Sequence, residues 1–444
     1  MNKNKNTKER LLLFVIISFF LIFGGFLSLN IKKNISPDER YHTNVSKFYS
    51  ETLLIPDNSK DTYAYGDITR IPYLSFWLNA RLININVIGV EDYIVLRFFN
   101  LIISTGSLLI IYFISKEVIN KKYLNLLPVF LLANTLMYVF LSSAVSYDNL
   151  SNFFVFVSFY FYIKFIKTNK PPYIIYLLVS QILGLLTKFT IAPVVLIEFI
   201  LLVCFVIKRG DFKKIFRSLY TKHKKLLIFN LIIFSLGFLL YGVNVIQYGS
   251  LTVHCDKVLT VDQCMENGIY SRANSLKDYT PESINGFLDL LKDRLTPFEY
   301  LSTWVLEMTQ RIFGVLGHKS LLMHKYFANI YIFLFALLSG IVIHKWEKKD
   351  YLESNLMIIS SFYILTLLIY QNYRLYMKTG ILGLALQGRY LFPVVSLIYI
   401  IVVRYLKDLK LRLLKWVIII FMLMLFTCGC IPFFFKFIPK DWFM

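Results

Sequence analysis

Six charged residues in this sequence could carry group-transfer chemistry: the acids Asp38, Glu39 and Asp148, and the bases Lys188, Arg374 and Arg389. Asp38 and Glu39 stand in Ser36-Pro37-Asp38-Glu39-Arg40-Tyr41-His42, and Asp148 closes Ser142-Ser143-Ala144-Val145-Ser146-Tyr147-Asp148. A carboxylate beside a bound hydroxyl can take its proton as a general base. The planar fork of arginine suits two phosphate oxygens, and Gly388 before Arg389 allows close backbone approach. Together the set could deprotonate an acceptor hydroxyl and stabilise a departing phosphate. Each residue also has a simpler account. Ser36, Pro37 and Glu39 spell a capping box that predicts a helix from here toward residue 53, and both acids would suit its positive end. Asp148 could be a solvated cap, Lys188 could extend to lipid headgroups, and Arg389 could be interfacial. Asp38 and His42 are four apart and share a helix face, which makes His42 a candidate substrate contact. Glu39-x-x-His42 is half of a two-metal carboxylate motif. Only one copy exists, so no cofactor is assigned and a divalent metal is left open.

The elements that must position these residues are membrane helices. Of the 444 residues, 57% are hydrophobic and 17% charged, against roughly 25% charged in soluble proteins. Mean hydropathy is +0.59. That composition excludes a disordered chain, a disulfide scaffold and an ordinary cytosolic enzyme. Runs of about 20 apolar residues mark spans, and eleven are predicted: 11–29, 93–115, 124–141, 150–166, 173–187, 191–207, 226–243, 326–343, 352–370, 390–403 and 416–435. The first is read as an uncleaved helix, because its apolar run is too long for a signal core and no small-x-small site follows. The net charge of +21 gathers in short loops between spans, which argues for the positive-inside rule rather than nucleic acid. With the N-terminus cytoplasmic, the inner loops hold 26 of the 48 Lys and Arg.

The predicted fold is therefore an all-α, multi-pass protein of the cell membrane. Its domains would be a transmembrane module 1–243 with a catalytic outer loop 30–92, an extracytoplasmic segment 244–325, and C-terminal spans in 326–444. An apolar helix from Ile71 to about residue 84 is too short to span and is placed on the outer interface. Helical patterning covers 281–293 and 297–313. An oxidising exterior would permit a Cys255–Cys264 disulfide, with two free thiols as the alternative. Cys204, Cys428 and Cys430 read as small buried apolar residues within spans.

The order of these features resembles the GT-C superfamily of membrane glycosyltransferases. Within it, the chain is most similar to the bacterial domain-of-unknown-function 2142 family. The pieces that match this family are Pro37-Asp38-Glu39-x-x-His42, Ser142-x-x-x-Ser146-x-Asp148 and Gln387-Gly388-Arg389-Tyr390-Leu391-x-Pro393, while Gly-Leu-Leu-Thr-Lys at 184–188 belongs to the wider GT-C likeness. The resemblance implies that Asp38 is the catalytic base, that Asp148 is a second acid, and that Lys188 and Arg389 approach a lipid phosphate, with Tyr390 beside them. It also implies a polyprenyl-phosphate-linked sugar donor and a glycan or lipid acceptor of the cell envelope. One departure is Thr69-Arg70-Ile71-Pro72, where many relatives carry a His-Pro-Pro run. The expected activity is a glycosyltransferase on the extracytoplasmic face. A transporter or flippase, a polymerase or ligase of lipid-linked glycans, and a scaffold are the rival readings. Glu198 is the one carboxylate deep within a predicted span.

Overall fold

The computed structural model describes residues 2–87, 89–210, 212–275, 286, 289, 294–347 and 351–444. Among them no strand forms beyond two isolated bridges, Ile31 with Phe443 and Val315 with Leu321. The protein is an all-α, multi-pass membrane protein. Nine helices among the described residues are long and apolar enough to cross a membrane.

The first is α1 (Asn2–Asn30). The chain then leaves the bundle for α2 (Glu39–Ser50) and α3 (Leu74–Asn84) before returning in α4 (Asp92–Val118). The predicted capping box does not form. The helix starts at Glu39, with Asp38 before it at φ 58°. The cause is tertiary: Glu39 turns away to meet Arg97 of α4, a partner that a local motif cannot anticipate. A small apolar core of Val45, Tyr49, Ile68, Phe76 and Ala80 joins α2 to α3, so this loop is a packed platform over one end of the bundle.

The predicted span 124–141 is broken. Helices α5 (Leu127–Ala133) and α6 (Leu136–Ser142) meet at a bend of 67°. The residues between them, Asn134 and Thr135, bond back to Phe130 O at 2.9 Å and Leu131 O at 2.8 Å. Thr135 also shares a hydrogen bond with the Tyr399 hydroxyl at 3.0 Å. Side chains that compete for backbone carbonyls in this way bend helices. After α7 (Tyr147–Thr168) comes α8 (Pro172–Thr187), whose 16 residues rise only about 24 Å against a hydrocarbon core of about 30 Å. The eleven equal spans of the sequence reading are thus nine full ones, one broken pair and one short helix.

The chain continues through α9 (Ala192–Arg209) and α10 (Phe212–Lys222). Next, α11 (Lys224–Gly237) runs through a π turn into α12 (Val243–Tyr248). Segment 244–325 adds α13 (Val261–Met265), α14 (Gly268–Ser275) and α15 (Pro297–Ile312). The last of these matches the helix predicted at 297–313; most of the one predicted at 281–293 lies outside the described residues. Cys255 and Cys264 form a disulfide, and Cys255 Sγ packs near Gly66 of the first loop. The remaining helices are α16 (Lys325–Lys345), α17 (Tyr351–Leu365), α18 (Arg374–Thr379), α19 (Phe392–Leu406), α20 (Arg412–Cys428) and α21 (Ile431–Phe437).

One large apolar cluster links both halves of the chain, with Phe23 against Phe434 and Tyr138 against Phe392. Cys430 lies in it, whereas Cys204 and Cys428 are exposed on the outside of the bundle. The basic loops share one end. Lys164 meets Glu117 at 3.1 Å, Arg404 meets Glu353 at 2.9 Å, and Lys407 donates to Ile119 O at 2.9 Å. Segments 30–92 and 244–325 share the other end, where His318 N donates to Ile35 O at 3.1 Å and Asn244 donates to Arg70 O at 3.2 Å.

Candidate active site

Four of the predicted residues converge at that second end. Arg389 Nη2 donates to Asp38 Oδ2 at 2.6 Å, although the two residues are 351 positions apart. Its Nη1 lies 3.4 Å from Asp148 Oδ2, and Lys188 Nζ closes on Asp148 Oδ1. The result is a chain of alternating charge: Asp38, Arg389, Asp148, Lys188. Buried charges are costly unless paired in this way. Arg389, Asp148 and Lys188 side chains are 3%, 5% and 9% exposed, whereas Asp38 is 36% exposed. Asp38 is therefore the member that solvent can reach.

Each residue is delivered by an element end. Asp38 precedes α2 in the left-handed region and makes no side-chain cap, which leaves its carboxylate for Arg389. Ser146 caps α7, accepting from Asp148 N at 3.2 Å, so Asp148 is not the cap. Lys188 ends α8 in extended conformation and does not reach for headgroups. Its ammonium sits over the rings of Tyr147 and Tyr390, at 4.7 and 5.0 Å, a cation–π contact that favours the charge. Gln387 Oε1 accepts from Arg389 Nε at 2.5 Å. Gly388 is needed because a Cβ there would lie 2.5 Å from Ile312 N and 2.6 Å from Arg311 C.

Burial raises the Asp38 pKa, but the charge and hydrogen bond of Arg389 outweigh it, helped by His42 and His318, and hold the carboxyl below its ordinary value. Asp38 is thus an anion at neutral pH. His42 is buried with neither ring nitrogen hydrogen-bonded, packed on Tyr147 at 4.3 Å and Phe76 at 5.7 Å. Burial pushes its imidazole down to about 4, against the pull of Asp38 and Asp148.

Two predicted residues lie elsewhere. Glu39 forms a fork with Arg97, at 2.7 Å to Nε and 2.8 Å to Nη2, and also accepts from Val145 N at 3.2 Å. Arg97 Nη1 donates to Ser28 O at 3.0 Å and Ile31 O at 2.7 Å. Glu39 thereby ties α1, α2, α4 and the turn before α7 together, and its oxygens do not face Asp38's partners. Arg374 is exposed and stacks on Tyr370 at 5.2 Å, outside the cluster, because its helix α18 is displaced from α19 by the 380–387 turn. Sequence reasoning missed Tyr147, which touches both His42 and Lys188, and His318, whose loop reaches Asp38 from segment 244–325. Tyr147 adjoins a named acid and could have been found; His318 carries no local signal. Among the described residues no group of three or more His, Cys, Asp or Glu is arranged to hold a metal.

The space among Asp148, Lys188, Tyr363 and Arg389 is about 10 Å³, so the paired charges fill their own site. A cavity of about 540 Å³ adjoins it, lined by Arg311, Leu316, Gly317, Gln387 and Tyr390. A second, of about 370 Å³, lies beside Glu39, Arg40 and Thr43.

Fold and site together define a multi-pass helical membrane protein with a buried acid–base cluster at one end of its bundle. Residues 32–398 match the family described as "Predicted membrane protein (DUF2142)", and the chain belongs to it. No curated protein matches. Among solved structures the chain is similar to ArnT from Cupriavidus metallidurans bound to undecaprenyl phosphate, with TM-score 0.49 and 12% identity over 90% of this chain and 61% of that one. It is also similar to the oligosaccharyltransferase AglB from Archaeoglobus fulgidus, in complex with an inhibitory peptide and a dolichol-phosphate. There the TM-score is 0.47 and the identity 13%, over 96% of this chain and 55% of that one. The apo form of the Archaeoglobus fulgidus oligosaccharyltransferase matches with TM-score 0.48 and 12% identity, over 94% and 55%. The chain spans about three-fifths or less of each of these proteins.

Proposed function

We propose that the protein is a glycosyltransferase that moves a sugar from a polyprenyl-phosphate carrier to a cell-envelope glycan or lipid, on the extracytoplasmic face of the cell membrane. The observation that carries this reading is the Asp38–Arg389–Asp148–Lys188 chain, in which one accessible carboxylate pairs with a buried arginine and Asp148 links that arginine to a buried lysine. The basic loops gathered at the opposite end support this sidedness.

In the proposed reaction the acceptor hydroxyl enters beside Asp38. The donor phosphate takes over hydrogen bonds from Arg389 and Lys188. As Arg389 turns to the phosphate, Asp38 loses the charge that depresses its pKa and becomes a stronger base at the moment it is needed. The acceptor proton passes to Asp38, the acceptor oxygen bonds to the anomeric carbon, and the bond from that carbon to the phosphate oxygen breaks. Cations on the departing phosphate lower the barrier electrostatically, and a positioned base contributes typically 10²–10⁴-fold.

A transporter finds less support. Glu198, buried in α9, accepts from Ser158 at 2.9 Å and Gln181 at 2.8 Å, which reads as a bond between helices rather than a path. The test is complementation of a deletion strain with wild type or Asp38→Asn, with both proteins checked in the membrane. Mass spectrometry of envelope glycans should show one substituent lost and restored by wild type alone. Restoration by Asp38→Asn would refute the assignment of the base.

A further inference from the structure

Another cavity lies at the other end of the bundle, roughly 25 Å along α1 from the acid cluster. Its volume is about 1050 Å³. Leu12 and Ile16 of α1, Phe130 of α5 and Trp416 of α20 form an apolar floor. The rim is basic: Lys121, Lys122, Lys407, Lys410, Arg412 and Lys415 face a single acid, Asp408.

Some of these charges are already engaged. Lys407 donates to Ile119 O at 2.9 Å, Lys415 to Lys407 O at 3.2 Å, and Asp408 is held by Arg404. Lys121, Lys122, Lys410 and Arg412 have no carboxylate partner among the described residues. The walls are fixed from beneath. Glu9, buried on α1, accepts from Tyr112 at 3.1 Å and from Asn125 at 3.2 Å, which ties the 120–127 turn to α1 and α4. The floor is open, with Leu12 45% and Trp416 49% exposed.

A soluble phosphate would meet the rim and leave the floor bare. A neutral lipid would cover the floor and leave four cations unpaired. An acidic lipid satisfies both, and basic pockets between membrane helices are known to hold such headgroups. We propose that this cleft binds an anionic phospholipid of the adjacent leaflet. Its phosphate sits among Lys121, Lys122, Lys410 and Arg412, and its tails run along Leu12, Ile16 and Trp416. The site is independent of the glycosyltransferase reading.

The full-length protein, purified in mild detergent, can be titrated with dioleoyl phosphatidylglycerol or dioleoyl phosphatidylcholine and read by native mass spectrometry. Phosphatidylglycerol should be retained preferentially. Lys410→Gln/Arg412→Gln should weaken that retention about twenty-five-fold, taking a factor of roughly five for each cation. Lys213→Gln/Lys214→Gln, which removes two exposed cations at the same end but outside the cleft, should leave it unchanged. Trp416→Ala should reduce retention of phosphatidylglycerol without creating a preference for phosphatidylcholine. Equal retention of the two lipids would overturn the proposal, as would an equal loss in the Lys213/Lys214 variant, which would reduce the effect to bulk charge. Binding of dihexanoyl phosphatidylglycerol as tight as that of the long-chain lipid would also overturn it, because the apolar floor would then contribute nothing.

Discussion

Replacing Glu39 by Gln separates structure from chemistry at this site, because Glu39 adjoins the proposed base yet spends its charge elsewhere. Glu39 and Arg97 side chains are 3% and 1% exposed, so neither charge has water to fall back on. Breaking a buried pair from one side costs about 3–5 kcal/mol. Arg97 would keep its bonds to the Ser28 and Ile31 carbonyls, which places Glu39→Gln at the lower end, about 3 kcal/mol. Arg97→Met strips those carbonyls as well and belongs at about 5 kcal/mol or beyond. Asp38→Asn removes a charge that is 36% exposed and leaves an amide oxygen to accept from Arg389, which also keeps Asp148 at 3.4 Å, so it should cost less than either, about 1–2 kcal/mol. Unfolding of the purified protein in detergent, followed by tryptophan fluorescence, ranks the three. Activity per folded molecule should survive in Glu39→Gln and vanish in Asp38→Asn. The reasoning fails if Glu39→Gln unfolds within about 1 kcal/mol of wild type while losing activity as fully as Asp38→Asn.

Lys188→Met should destabilise by about 3–5 kcal/mol, since Asp148 would keep only Arg389 at 3.4 Å; adding Asp148→Asn should recover most of that in the same unfolding assay. Gly388→Ala should cost about 1–3 kcal/mol through overpacking against the Arg311–Ile312 backbone and reduce activity by displacing Arg389, both measurable on one preparation. Acid should also weaken the fold. His42 stays neutral down to about 4 while the unfolded imidazole takes a proton near 6.5. Stability is then full above about pH 6.5 and falls as pH drops toward 4, by at most about 3 kcal/mol. His42→Gln should flatten this stretch of the stability–pH curve, and an unchanged slope in that variant would assign the effect to another group.

Much of the bundle was legible, because hydropathy runs and loop charge are local properties. All eleven predicted spans fall on helices, and the predicted inner and outer segments do gather at opposite ends. What escaped were features made by contact. The bend at Asn134 and Thr135 is invisible to hydropathy, which measures how apolar a run is and not where it points. Ser36-x-x-Glu39 read as a capping box because its partner, Arg97, stands 58 positions away. Within the site, Asp38 was readable from its motif in the first outer loop and Asp148, Lys188 and Arg389 from their places at span ends, but their meeting was not. Arg374 stood beside Arg389 among the candidate bases, and the packing of the turn between them leaves it exposed and outside the cluster.

The separation of Asp38 from Arg389 bears on how the protein is made. A ribosome adding roughly 5–20 residues per second needs roughly 20–70 s to travel from the first to the second. Asp148 and Lys188, 40 positions apart, can neutralise each other long before that, within the first half of the chain. Asp38 must wait, and its charge is matched only once α19 has been inserted beside α7. Arg389 thus closes the ion-pair chain late: a chain that ends before it can hold the Asp148–Lys188 pair but leaves Asp38 without its cation.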